Sequence, residues 1–143
     1  MKSARDALTD AAAQWVRKAE NDLTTAVAVT RLGGEYPTDS VCFHAQQCAE
    51  KYYKAVLVYH GIDFPRTHDL NALARLLPGL LLPTLTDEER RRLTYYAVSL
   101  RYPGDYDPIP IREARHALAL ARRVRRGTRR MLPRATITRK ASS

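Results

Sequence analysis

Four polar side chains recur at 3-4-3 spacing in the middle of the chain: His44, Gln47, Lys51 and Lys54. On a helix they fall within an arc of roughly 80°, so they share one face, with Glu50 beside them. An imidazole, an amide and two ammonium groups can hold a phosphate or the edge of a nucleobase. The same pattern also suits a solvated Glu–Lys network or a polar seam between two copies. His68 and Asp69 read either as a wall of that pocket or as a turn in which Asp69 caps a helix and His68 bonds backbone. Arg101, Tyr102 and Tyr106 bring a guanidinium and two phenols into one loop, a set that can bind phosphate and stack a base. The alternative is a loop pinned to the body by its tyrosines, with Arg101 paired to Asp105 or Asp107. His60 and His68, with Asp63 or Asp69, lack the tight spacing that zinc requires. No metal or cofactor is expected.

A second concentration of chemistry lies at the C-terminal end. From Ile111 onward there are eleven Lys and Arg against one acid, Glu113, while residues 1–110 hold 13 bases and 14 acids. A nearly neutral body therefore carries a strongly basic end, an asymmetry that points to an anionic partner. On a helix from about Ile111 to Met131, Ala114, Ala117, Leu118, Leu120, Ala121, Val124 and Met131 form a packing face. Arg112, Arg115, Arg122, Arg123, Arg126, Arg129 and Arg130 lie within roughly 120° on the other side. Arg115, Arg122, Arg123, Arg126, Arg129 and Arg130 are the candidate nucleic-acid face. The plainer account is that long arginine stems cover apolar surface and pair with acids on a neighbouring helix.

The elements that must position these groups are helical. Trp15, Ala19, Leu23, Ala26 and Val27 mark a first helix opened by Asp10 and stopped at Gly33-Gly34. Thr38 or Asp39 caps a second, about 40–60, with the stripe Val41, Ala45, Cys48, Tyr52, Ala55 and Tyr59, closed by Gly61. Thr67 or Asp69 caps a third, through Leu70, Leu73, Leu76 and Leu77. A fourth starts in the run Thr86-Asp87-Glu88-Glu89, which reads as a capping box. Tyr52, Tyr53, Tyr95 and Tyr96 are expected to pack, one hydroxyl of each pair reaching water. Three prolines and a glycine between Arg101 and Pro110 forbid a helix there. The result is an all-α, up-and-down bundle of about five helices over 10–132, with a flexible N-terminus at 1–9 and a basic, disordered tail at 133–143.

Taken in order, His44-Ala45-Gln46-Gln47-Cys48-Ala49-Glu50-Lys51, Lys54-Ala55-Val56-Leu57, Gly61, Thr67-His68-Asp69-Leu70 and Arg101-Tyr102-Pro103 resemble the HEPN domain family (higher eukaryotes and prokaryotes nucleotide-binding) over residues 10–131. The resemblance implies a prokaryotic helical bundle that homodimerises. It also implies a neighbour, a minimal nucleotidyltransferase, in toxin–antitoxin-like or accessory pairs. A related helical module serves as the substrate-binding part of some antibiotic nucleotidyltransferases. Many members are metal-independent ribonucleases whose active pair is an Arg followed, after four to six residues, by a His.

That pair is missing here. The positions five to seven residues before His44, His60, His68 and His116 hold Pro37-Thr38-Asp39, Tyr53-Lys54-Ala55, Gly61-Ile62-Asp63 and Ile109-Pro110-Ile111. Arg101 is the natural remnant of the family's Arg, but Tyr106, Asp107 and Pro108 stand where its His belongs. Cleavage by a 2′-hydroxyl wants a base titrating near neutrality, which imidazole supplies and a phenol does not. The expectation is a non-catalytic nucleotide- or RNA-binding protein partnered with a nucleotidyltransferase. The alternatives are a degenerate ribonuclease toxin using Arg101 with Tyr106, Asp107 or His116, and a plain protein-interaction module.

No run approaches the roughly 18 apolar residues of a membrane span, and the N-terminus shows no apolar leader core. Cys42 and Cys48, six apart on one helix, point about 120° from each other and cannot pair. A reducing cytoplasm is the expected location.

Overall fold

A computed structural model describes residues 2–79, 85–100 and 107–137. Among them the regular elements are helices: α1 (Ala4–Thr30), α2 (Thr38–Tyr59), α3 (Leu70–Leu76), α4 (Asp87–Ser99), α5 (Ile111–Arg129) and α6 (Arg134–Ile137). No described helix is long and apolar enough to cross a membrane.

The ends of the bundle depart from expectation. α1 begins at Ala4, not near Asp10. Ser3 accepts from the Asp6 amide at 3.1 Å and the Asp6 carboxylate accepts from the Ser3 amide at 3.3 Å, a complete capping box. Six further residues of the expected flexible N-terminus are thereby wound into helix, since two orphan donors are satisfied at once. At the other end, residues 134–137 of the expected disordered tail form α6. Thr136 is buried, its hydroxyl donates to the Pro133 carbonyl at 2.7 Å, and Ile137 packs against the core.

The interior caps are mostly as the sequence dictates. Asp69 caps α3 by accepting from the Asn71 amide at 2.9 Å. Thr86 and Glu89 form the capping box of α4. α2 is the exception: its N-cap is Pro37, without a side-chain bond, and the Thr38 hydroxyl instead donates 2.7 Å to the Ile109 carbonyl. α2 stops in a left-handed turn. Gly61 has φ +67°, its amide donates to the Val58 carbonyl, and the Ile62 amide donates to that of Leu57 at 2.9 Å. That is the Schellman arrangement, which a residue with a Cβ adopts only under strain.

α2 is the axis of the molecule. It packs against α1, α3, α4 and α5, while α6 lies on α1. Of the expected stripe, Val41, Ala45, Cys48, Tyr52 and Ala55 are buried, but so are Cys42, Gln46, Ala49, Glu50, Tyr53, Val56 and Leu57. One apolar stripe suffices for a helix with one neighbour; four neighbours enclose most of the circumference. α1 meets α2 antiparallel, and small residues of both, Ala19 and Ala26 with Ala45, Cys48 and Ala49, are buried in one core. Tyr52, Tyr53 and Tyr96 are buried as expected, but Tyr95 is 42% exposed.

Candidate functional site

Three carboxylates organise the polar contacts of α2, two of them from α1. Asp22, only 8% exposed, sits in the buried register Ala19–Asp22–Ala26. Its Oδ1 lies 2.7 Å from His44 Nδ1 and its Oδ2 accepts from Lys51 Nζ at 2.6 Å. One carboxylate thus gathers two residues of the expected row separated by two helical turns. The contact fixes the His44 ring with Nδ1 toward the Asp22 carboxylate and Nε2 on the far side.

The second hub is Glu50, 3% exposed. It accepts from Lys54 Nζ at 2.8 Å and Gln46 Nε2 at 3.1 Å, and meets His68 Nδ1 at 2.8 Å. Gln46 also donates to the His68 carbonyl at 3.1 Å, and Gln47 donates to Gln46 Oε1 at 2.7 Å. The Lys54 ammonium lies over Trp15 and Phe64, 5.5 and 5.7 Å from the ring centroids. Burial alone would raise Glu50, but the bonds from Lys54, Gln46 and His68 outweigh it and hold the carboxyl below the usual range. The expected row His44, Gln47, Lys51, Lys54 is therefore real as a helix face. It is divided between two hubs rather than converging on one pocket. His68 joins it; Asp69 does not, its carboxylate serving the α3 N-terminus.

The third carboxylate, Glu20, ties α1 and α2 to the basic helix. It accepts from the Tyr52 hydroxyl at 2.5 Å and from Arg125 at 2.8 and 3.0 Å, with Arg129 at 3.9 Å. Burial opposes the charge, yet Arg125 and Tyr52 keep Glu20 below its ordinary value, and the same burial raises the Tyr52 phenol. On the opposite flank of α5, Arg123 pairs with Glu89 at 3.1 Å. Arg123 and Arg129 of the expected nucleic-acid face are thus committed to acids of the protein. Arg115, Arg122, Arg126 and Arg130 are exposed and carry no ion pair among the described residues. They fall within roughly 80° of arc, with Arg122, Arg126 and Arg130 about 6 Å apart along the axis.

α4 is bridged to α5 at its other end as well. Glu113 accepts from the Tyr96 hydroxyl at 2.5 Å and pairs with Arg92 at 3.1 Å. Burial raises the Tyr96 phenol and pushes the Cys42 thiol up to about 12. Both cysteines are free and buried, so neither offers a nucleophile. His116 is exposed on α5. Arg101, Tyr102 and Tyr106 lie outside the described residues, as does Asp105. Among the described residues no group of three or more His, Cys, Asp or Glu could hold a metal ion.

Asp22, Glu20 and Arg125 are the members that the sequence reading missed. For Asp22 a signal existed: an acid at a 3-4 position within an alanine register is buried, and a buried acid needs a cation.

A family model described as the HEPN domain matches residues 12–131. Over 52 residues the chain is 46% identical to a Methanocaldococcus jannaschii protein named "Putative toxin MJ1304". That stretch is 36% of this chain and 32% of the relative, so the match spans about a third of the relative's length. The crystal structure of TT1696 from Thermus thermophilus is similar at a TM-score of 0.72 and 27% identity, covering 85% of this chain and 98% of that one.

Proposed function

The chain belongs to the HEPN domain family, and from that premise we propose that it is a non-catalytic, RNA-binding member of a toxin–antitoxin-type pair, acting as a homodimer beside a nucleotidyltransferase. The observation that carries the reading is the division of labour on α5. Arg123, Arg125 and Arg129 are held by Glu89 and Glu20, whereas Arg115, Arg122, Arg126 and Arg130 form an exposed ridge with no acid of the described residues against it. Arginines that only supported the fold would carry partners. A ridge of unneutralised guanidinium groups favours a polyanion and releases its counterions on binding. The toxin in the relative's name supports the class of system, and the missing Arg/His pair supports binding without cleavage.

The test is a salt titration of RNA binding by fluorescence anisotropy. For a single strand, each phosphate contact contributes about 0.7 to the slope of log K against log salt. Replacing Arg115, Arg122 and Arg126 together with Ala should therefore flatten the slope by about 2, while Arg123→Ala leaves it unchanged. RNA incubated with the protein in EDTA should stay intact. An unchanged slope in the triple variant, or RNA degraded in EDTA, would overturn the reading.

A further inference from the structure

The arginine ridge has a neighbour of different chemistry. Two pairs of contacts join α4 to α5, Glu89 with Arg123 near one end and Arg92 and Tyr96 with Glu113 near the other. The helices therefore run antiparallel and both rest on α2. The bridging side chains span the space between the two helices. Beyond Glu89, α4 carries no acid through Leu100. Its outer face presents Arg91 and Arg92, then Tyr95 and Val98, which are 42% and 59% exposed. On α5, His116 lies on the arc between Arg123 and Glu113, the two residues that reach α4, so an imidazole lines the same space.

Tyr95 is anomalous among the described tyrosines. Tyr36, Tyr52, Tyr53 and Tyr96 are buried and Tyr59 is half-buried. Tyr95 alone among them is exposed, braced only edge-on by Tyr96, with ring centroids 5.9 Å apart and planes at 72°. An aromatic ring left in water beside cations loses the burial that its size would provide, while keeping its flat surface available. Surfaces that hold single-stranded nucleic acid combine those two features, cations that follow the backbone and aromatic faces that stack bases. A duplex hides its base faces in the stack and gains nothing from such a ring.

We propose that Tyr95, with Val98 one turn on, is the base-stacking platform of this protein, carried on the helix that Glu89 and Arg92 tie to α5, and that the ligand is therefore single-stranded RNA. The inference rests on the RNA reading above and adds to it the strandedness of the ligand and the residue that selects for it. Phosphates meet Arg115, Arg122 and Arg126; a base lies on Tyr95. Arg91 does not block it, since its Glu88 partner is as exposed as it is and the pair contributes little.

The experiment measures binding of oligouridylate and of a duplex of equal length to the full chain, with sedimentation velocity on the same samples. Tyr95→Ala should weaken oligouridylate binding by about fivefold to a hundredfold and leave duplex binding within twofold. Tyr95→Phe should keep affinity within twofold, since the ring is retained, whereas Tyr95→Leu should behave as Tyr95→Ala. The salt slope should be the same in all three, since no phosphate contact is lost. If oligouridylate binding of Tyr95→Ala matches the wild type while the triple arginine variant is impaired, the platform is wrong and the RNA reading stands. If the wild type binds neither RNA, both fall. If Tyr95→Ala changes the sedimentation coefficient and not the affinity, the face belongs to a second copy of the chain and the proposal is overturned.

Discussion

Glu50→Gln tests whether the polar core of α2 is held by charge. The substitution keeps the shape and one acceptor oxygen, which still serves Gln46 and His68, but places an amide nitrogen where Oε2 received the Lys54 ammonium. Lys54 cannot escape into water easily, because its side chain is 11% exposed and that of Glu50 only 4%. Removing one partner of a buried pair costs about 3–5 kcal/mol. Trp15 and Phe64 still face the ammonium and offset roughly 0.5–1 kcal/mol each, so the lower end of that range, about 3 kcal/mol, is expected. For a chain of this length that is a fall in Tm of about 10 °C. The control is a second substitution: Lys54→Met added to Glu50→Gln removes the stranded charge and should recover about 2 kcal/mol. Urea unfolding followed by circular dichroism measures all three proteins. A loss below about 1 kcal/mol for Glu50→Gln, or no recovery with Lys54→Met, would show that the charge is not what holds this region.

Stability should fall at both ends of the pH scale. Glu20 and Glu50 sit below the ordinary value of 4.5, so their contribution is complete above that pH and is lost as pH drops through the folded values, read as Tm against pH and flattened by Glu50→Gln. Tyr52 and Tyr96 are raised above 10.0, so the stability of their neutral forms is present below pH 10 and is lost above it; tyrosinate absorbance from these two should emerge only together with loss of helical signal. Arg90 is 6% exposed, donating to the Leu85 carbonyl at 2.5 Å and Asn71 Oδ1 at 2.7 Å while pairing with Asp87. Arg90→Ala strands these acceptors and should cost about 2–3 kcal/mol in urea unfolding.

What the sequence disclosed about this fold was local, and what it withheld was collective. The Thr86–Glu89 cap and the Gly61 stop are written in adjacent residues, because each satisfies backbone groups within one turn. The Ser3–Asp6 cap is equally local, but the turn it opens contains little apolar periodicity to mark it as helix. The enclosure of α2 was hidden, since Gln46, Glu50 and Tyr53 look like a polar flank until Glu50 is seen to gather Lys54 of its own helix and His68 of the connection before α3. The face of α5 was legible as arginine. Its separation into paired and unpaired members depended on Glu20 and Glu89, which come from α1 and α4. Periodicity names the face a residue is on; it does not name the neighbour.

The central position of α2 also limits how such a chain can change. Inserting or deleting one residue there would rotate every later side chain by about 100° against four walls at once. The Asp22 and Glu50 partners would be dealt to the wrong helices, so length changes must accumulate outside it, in the connections and at the two termini. Divergent copies of this scaffold should therefore keep the span from Thr38 to Tyr59 at constant length while their loops and basic ends vary. That regularity is open to inspection by anyone aligning them.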